Sequence, residues 1–122
     1  MPRGVRPARY NQFVPYFAYR VVRNQSPGVT AFASHAEMGD TPPLGISPSA
    51  LNDWDGVSVF ETHDQAARHA RKYTHLGRFI AELLIPDEAP ISRDVADRRG
   101  HFNLRGSGAA IFSCLVGVSP IA

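Results

Sequence analysis

The 122-residue chain has a single cysteine, Cys114, and no long apolar run. One cysteine cannot form a disulfide within the chain, and it leaves no cysteine set for a zinc site. Because Cys114 lies in an apolar stretch, we expect a buried thiol rather than a nucleophile. No stretch approaches the roughly 20 apolar residues of a membrane span, and no apolar segment follows the N-terminal arginines as in a secretory signal. We therefore expect a cytoplasmic protein that does not enter a membrane.

Motifs for common ligand sites are also missing. The five histidines do not form an HExxH pattern, so we expect no metal. Neither GxGxxG nor GxxxxGK occurs, which argues against a Rossmann or P-loop nucleotide site. The net charge of +2 is too small to indicate nucleic-acid binding by itself, although arginine supplies twelve of the thirteen basic residues.

The hydrophobic patterns predict one α+β domain over residues 13–122, preceded by a flexible basic arm over residues 1–12. Strands outnumber helices and do not alternate with them, which favours α+β over a doubly wound sheet. Helices are expected after Ser47-Pro48 and after Thr62, which opens a capping box. A long loop over residues 29–46 is typical of a lid. The predicted strands cover residues 13–22, 57–60, 78–85, 101–104 and 109–118.

Arg20 is the first candidate for chemistry. Strand alternation places it on one face with Ala18 and Val22, which are both apolar. An arginine on a partly buried face needs an anion or a wet cleft. Its fork could hold a phosphate or order a ribose, and a structural ion pair with a carboxylate is an equal alternative.

Ser58 and His101 are the other candidates. Ser58 lies in a short apolar strand just before a capped helix, where its hydroxyl could bind a ligand or the backbone. No glycine pair brackets Ser58, so it is not in a nucleophile elbow. His101 follows a glycine and precedes an aromatic residue; it could serve as a general acid or base, or have a structural role.

Four segments, taken in order, resemble the small ADP-ribosyltransferase-like effector toxins of bacterial type VI secretion. More broadly they resemble the diphtheria-toxin-like fold, which binds NAD in a cleft between two small sheets. Each motif is short, and their order and spacing carry the resemblance over nearly the whole chain from residue 17 onward. The segments are Tyr19-Arg20-Val21-Val22, Gly56-Val57-Ser58-Val59-Phe60, Ile85-Pro86-Asp87 and Gly100-His101-Phe102.

The resemblance implies two small, mostly antiparallel sheets packed together with two or three short helices. It implies a toxin that binds NAD and acts as a mono-ADP-ribosyltransferase or NAD glycohydrolase. Arg20, Ser58 and His101 would be the catalytic residues, and Arg20, Ser58, Tyr19 and Phe60 would contact NAD. Many family transferases carry a glutamate in the third position, but no glutamate follows Glu88. Either His101 takes that place, or the cleft binds NAD without transfer.

The implied partners are a cognate immunity or antitoxin protein and an acceptor, either a macromolecule or a small molecule, in the cytoplasm of the producing or the target cell. Two alternatives remain open. One is a nucleic-acid-binding module that uses the arginine-rich arm with Tyr10, Phe13 and Tyr16 as stacking platforms; it is less favoured. The other is a non-catalytic interaction domain, such as a toxin of a toxin–antitoxin pair that acts by binding.

Overall fold

One antiparallel sheet dominates the computed structural model, which describes residues 14–121. The N-terminal arm predicted for residues 1–12 lies outside these residues. Three α-helices are present in the described part: α1 (Pro48–Trp54), α2 (His63–Lys72) and α3 (Gly108–Phe112), with short 3-10 turns at Val29–Phe32 and Thr74–Leu76. The six strands are β1 (Tyr16–Val22), β2 (Val57–Phe60), β3 (Phe79–Ile85), β4 (Ser92–Arg93), β5 (His101–Arg105) and β6 (Leu115–Pro120).

The strands are ordered β4-β5-β2-β1-β3-β6, and each neighbouring pair is antiparallel. The prediction of an α+β fold with antiparallel strands is confirmed. The prediction of two separate packed sheets is wrong, because β1 pairs on both of its edges and joins all six strands into one sheet. No helix in residues 14–121 has the length and apolarity to cross a bilayer.

The two edges of β1 are paired very unequally. Against β3, all seven residues of β1 are in register, from Tyr16 opposite Ile85 to Val22 opposite Phe79. Against β2, a single pair is formed, Tyr19 opposite Phe60. The sheet therefore consists of two three-stranded halves, β4-β5-β2 and β1-β3-β6, connected by a short joint.

Both faces of the sheet are covered. On one face Ala18, Val59 and Leu83 pack with Phe32 of the first 3-10 turn and Ile111 of α3; none of the five is exposed. On the other face a smaller cluster forms where α2 lies over the sheet, through Phe60, Ala66 and Ile80. Because strand residues alternate between faces, the side chains of Arg20 and Ser58 start from different sides of the sheet.

The helix starts follow from short sequence signals. Thr62 and Gln65 form the predicted reciprocal capping box, and Ala66 and Ala70 of α2 are buried. Ser47 caps α1 through a hydrogen bond from the Ala50 N–H. Helix α1 buries none of its residues.

The last third of the chain differs from its prediction. The strand expected over residues 109–118 is split, because the Ser107 hydroxyl accepts the Ala110 N–H and begins α3 before β6. A short apolar run suits a buried helix turn as well as a strand. The polar connection before β5 contains β4, which pairs with β5. Cys114 is buried as expected, and burial raises the pKa of its thiol.

Candidate functional site at the joint of the sheet

Arg20 occupies the point where β1 and β2 part. Its Nε donates to the carbonyl oxygen of Ala31 at 2.7 Å, and its Nη1 donates to the carbonyl oxygen of Ser58 at 2.7 Å. The side chain thus connects the central strand to the 3-10 turn on one face and to the neighbouring strand β2. The guanidinium serves two backbone acceptors at a place where the strand pairing has already stopped.

The charge of Arg20 has no carboxylate partner in residues 14–121. Residues 1–13 contain no aspartate or glutamate either. Burial lowers the pKa of Arg20 to about 10, so the group remains cationic at neutral pH. The structural ion pair considered above is therefore not formed among the described residues. A partly buried cation held only by carbonyl dipoles is a suitable partner for an anionic ligand.

Ser58 and His101 form the second part of the site. The Ser58 Oγ lies 2.6 Å from the Nε2 of His101, across the β2–β5 pair. The register places His101 opposite Phe60 and Ser58 opposite Asn103, so these side chains share a face of the sheet. Ser58 consequently contacts both other predicted residues: its backbone carbonyl receives Arg20, and its hydroxyl meets His101.

Asp97 lies behind His101, in the connection before β5. Its Oδ2 is 3.8 Å from the Nδ1 of His101, and its Oδ1 accepts the backbone N–H groups of Arg99 at 2.8 Å and His101 at 3.1 Å. Partial burial disfavours the charged carboxylate, but these two N–H groups and the nearby positive groups outweigh it and lower the pKa of Asp97. An anionic carboxylate thus stands beside the imidazole, opposite to the serine.

Aromatic rings surround the imidazole on the α2 side. The Phe60 ring is 5.5 Å from His101 and 5.0 Å from His69 of α2, measured between centroids. Phe60 is only 4% exposed, and its buried ring packs against the imidazole of His101. The expected contact of Phe60 with NAD stays a prediction. The packing of the Phe60 ring between two imidazoles disfavours that contact. Burial, followed by the positive charges of Arg99, His101 and Lys72, lowers the pKa of His69.

Tyr19 is placed on the same face as Phe60, its partner across the joint. Its hydroxyl donates to the Glu82 carboxylate at 3.3 Å, and its ring meets that of His63 at 6.1 Å. Burial and the Glu82 carboxylate raise the pKa of Tyr19. Tyr19 therefore stands beside the joint with its hydroxyl directed to β3, and its predicted role in NAD binding stays a prediction.

Of the three predicted residues, Ser58 contacts the other two, whereas Arg20 and His101 start from opposite faces of the sheet and do not contact each other. Asp97 was not predicted, and no role was predicted for Gly100 beyond its place in the matching segment. The signal for Asp97 was the turn Asp97-Arg98-Arg99-Gly100, since aspartate commonly accepts N–H groups two residues ahead. Gly100 has φ +80°, and a side chain there would meet the amide of Gln65. This turn fixes the start of β5 and hence the position of His101.

Two further observations bear on possible ligands. Residues 14–121 contain no group of histidine, cysteine or acidic side chains arranged to hold a metal ion. A separate cavity of about 460 Å³ lies at the far end of β3, lined mainly by apolar residues that include Leu84, Pro86 and Cys114. It contains none of the predicted site residues, and it has neither the cation nor the imidazole found at the joint.

Comparison of the chain with protein-family models, with curated proteins and with solved structures finds no match.

Proposed function

We propose that the chain is an ADP-ribosyltransferase-like toxin domain that binds NAD at the joint between the two half-sheets and cleaves it, as a mono-ADP-ribosyltransferase or an NAD glycohydrolase. The observation that carries the proposal is the contact of Arg20 and His101 with the same residue, Ser58, from β1 and β5. The sequence predicts these three residues as candidates, although Ser58 lies 38 positions after Arg20 and 43 positions before His101.

The charge at the joint suits a dinucleotide. NAD carries a pyrophosphate, and Arg20 offers a cationic fork without a carboxylate partner in residues 14–121. The fork already donates to two carbonyls, and these hold it in one orientation. A preoriented cation binds an anion with little further ordering, which favours affinity.

The reaction mainly requires that NAD be held in the correct orientation and that one proton be removed from the acceptor. Cleavage breaks the bond between the nicotinamide nitrogen and the ribose C1′, and the electron pair remains on nitrogen, so neutral nicotinamide leaves. An acceptor oxygen then bonds to C1′ and loses a proton. Ser58 and His101, 2.6 Å apart, can take that proton at the imidazole. Arg20 would hold the dinucleotide while positive charge develops at the ribose.

The missing third-position glutamate has candidate substitutes near His101. Asp97 presents an anionic carboxylate to the imidazole. Glu61 follows β2, and its backbone N–H donates to the Gly100 carbonyl at 3.0 Å, so it too stands next to the start of β5. A carboxylate beside the ribose would stabilise positive charge in the transition state. The proposal therefore includes catalysis rather than binding alone.

The test is nicotinamide release from NAD by the purified full chain, with binding followed separately by calorimetry. We expect Arg20→Ala and His101→Ala to lower the release rate by about 100-fold or more. Arg71→Ala and His75→Ala are matched controls, because both residues are exposed and lie away from the joint. Absence of both NAD binding and nicotinamide release in the wild-type chain would overturn the proposal.

The toxin part of the proposal has its own test. Induced expression should slow the growth of a bacterial host, and Arg20→Ala or His101→Ala should restore growth at equal soluble protein levels. Melting curves of the variants separate loss of activity from loss of fold. Equal growth inhibition by the wild type and both variants would contradict the assignment of these residues, even if the chain is toxic.

A further inference from the structure

We infer that Asp97 is a positioning residue: it fixes His101 with its proton on Nδ1, so that Nε2 accepts the Ser58 hydroxyl and the pair acts as a base toward a protic acceptor, either water or an alcohol. The acceptor class rests on the proposed function. The arrangement of Asp97, His101 and Ser58 does not, and it can be tested without any substrate.

The short contact between Ser58 and His101 allows two arrangements. In one, Nε2 carries the proton and donates to the Ser58 oxygen. In the other, the Ser58 hydroxyl donates to a bare Nε2. The distance of 2.6 Å is the same for both. The choice depends on what the other ring nitrogen faces, because a neutral imidazole has only one N–H group.

The negative charge of Asp97 determines which ring nitrogen of His101 carries the proton. Its Oδ2 lies 3.8 Å from Nδ1, which is longer than a hydrogen bond, so the interaction at this separation is electrostatic. A carboxylate at that distance favours a proton on Nδ1, and therefore a bare Nε2 directed at Ser58. The same carboxylate stabilises the imidazolium that forms when His101 takes up a proton.

The Asp97 carboxylate is itself held in place by the backbone. Its Oδ1 accepts two N–H groups, while its own N–H donates to the His101 carbonyl at 2.9 Å and its carbonyl accepts the Gly100 N–H at 3.0 Å. The aspartate and the histidine are thus tied into one turn at the start of β5. The second oxygen, Oδ2, takes no part in these backbone hydrogen bonds; it lies 3.5 Å from the Arg99 guanidinium and 3.8 Å from the Nδ1 of His101.

Other groups around His101 act differently. From α2, His69 packs on the same Phe60 ring, and from the connection before β5, Arg99 pairs with Asp97 at 3.5 Å. Arg99 is cationic, and His69, whose pKa is lowered by burial, is neutral near pH 7, so neither presents a negative charge to the imidazole. The carboxylate of Glu61, which follows β2, lies 3.9 Å from the guanidinium of Arg93. Asp97 is therefore the anionic group that directly faces the imidazole within residues 14–121.

This arrangement has a consequence for the acceptor. A base is useful where the attacking atom carries a proton that must be removed, as in water or an alcohol, and Ser58 could relay that proton to Nε2. The Ser58 oxygen would keep its hydrogen over the cycle, giving one proton to His101 and receiving one from the acceptor. Water as acceptor yields ADP-ribose, and an alcohol yields an O-linked product.

The decisive experiment is nuclear magnetic resonance of the imidazole nitrogens in ¹⁵N-labelled full-length chain, for the wild type, Asp97→Asn and the control Asp64→Asn. The variant Asp97→Asn retains an oxygen for the two backbone N–H groups and replaces the anionic oxygen that faces Nδ1 with a neutral NH₂ group. Asp64 is an exposed aspartate of α2, 3.4 Å from Arg68 and away from His101.

In the wild type we expect neutral His101 to carry its proton on Nδ1. Asp97→Asn should move the proton toward Nε2. Asp64→Asn should leave the tautomer of His101 unchanged. The inference is overturned if neutral wild-type His101 is protonated on Nε2, or if Asp97→Asn leaves the tautomer unchanged.

Enzyme kinetics provides a second test of the role of Asp97. If the chain releases nicotinamide, Asp97→Asn should lower kcat by about tenfold near neutral pH and leave KM for NAD nearly unchanged, because Asp97 acts through His101. A rise in KM at constant kcat would contradict the positioning role. A wild-type chain without turnover would count against the proposed function, and the resonance measurement would still decide the role of Asp97.

Discussion

The two edges of β1 satisfy the backbone hydrogen-bonding groups of the strand in different ways. Toward β3, a complete ladder of seven paired residues satisfies the backbone, and the strand behind it carries Ala81 and Leu83 fully buried. Toward β2, pairing stops after Tyr19 and Phe60, and the guanidinium of Arg20 supplies the donors instead. A ladder leaves no polar group for a ligand, whereas a side chain that bridges two carbonyls keeps a charge that a ligand can use. We expect the first edge to contribute most of the stability, and the proposed function places the chemistry at the second.

The largest expected effect on stability lies at the β3 edge. Leu83→Ala should destabilise the fold by about 3 kcal/mol, because it removes a fully buried side chain and leaves a cavity between the sheet and its covering elements. Leu84→Ala, at the next position and 36% exposed, is the matched control and should cost less than about 1 kcal/mol. Denaturant unfolding of both variants measures this difference. Similar losses for the two would mean that the β3 edge is not the stabilising side.

Two glycines extend the comparison to the backbone. Gly77, just before β3, has φ +142°, and a side chain there would run into the backbone carbonyl of Val22. Gly100, before β5, would meet only the end of the Gln65 side chain. We expect Gly77→Ala to cost more than about 2 kcal/mol and Gly100→Ala about 1–2 kcal/mol, the latter including loss of the capping contact. The reverse order in denaturant unfolding would show that the joint is the more rigid part.

The same contrast explains which features could be predicted from the sequence. The capping box at Thr62 and Gln65 is local, and four residues suffice to recognise it. The strands of the β1–β3 ladder were predicted because their apolar residues are continuous. The single pair between Tyr19 and Phe60 was not, because pairing between distant strands depends on how the whole sheet twists and packs. The expectation of two sheets came from the resemblance, and this pair joins the strands into one sheet.

For the site, residue type and the order of the segments could indicate candidate residues but not the contacts between them. Ser58 contacts both Arg20 and His101 in the fold. The relative side of the sheet from which each side chain starts could not be predicted, since the registers of β1 with β2 and of β2 with β5 determine it. Asp97 was missed because its role depends on a turn whose backbone N–H groups hold the carboxylate.

The stability of the joint itself should respond to Arg20. Arg20→Met keeps much of the apolar stem but leaves the carbonyls of Ala31 and Ser58 without their donor. We expect a loss of about 1–2 kcal/mol in denaturant unfolding, less than for Leu83→Ala, because removing a partly buried cation offsets part of the cost. Arg20→Lys should lie between wild type and Arg20→Met, since an ammonium group does not reproduce the planar fork. An unfolded Arg20→Met variant would contradict the view that the joint contributes chemistry more than stability.

The smallest expected effect concerns pH at the same joint. Burial, followed by neighbouring positive charges, lowers the pKa of His69, which packs on Phe60. As the pH falls below the ordinary histidine value of about 6.5, the unfolded chain takes up a proton at this position and the folded chain resists it. Stability from His69 is therefore present above that value and is lost as the pH falls toward the lowered pKa. The group is only partly buried and solvent screens its neighbours, so the change in Tm should be on the order of 1 °C.

His69→Gln should reduce the difference in Tm between pH 7.5 and pH 5.5, while His75→Gln, at an exposed position in the second 3-10 turn, controls for the loss of any histidine. If both variants keep the wild-type difference, the packing of His69 on the β2 edge does not contribute to the acid sensitivity of the fold.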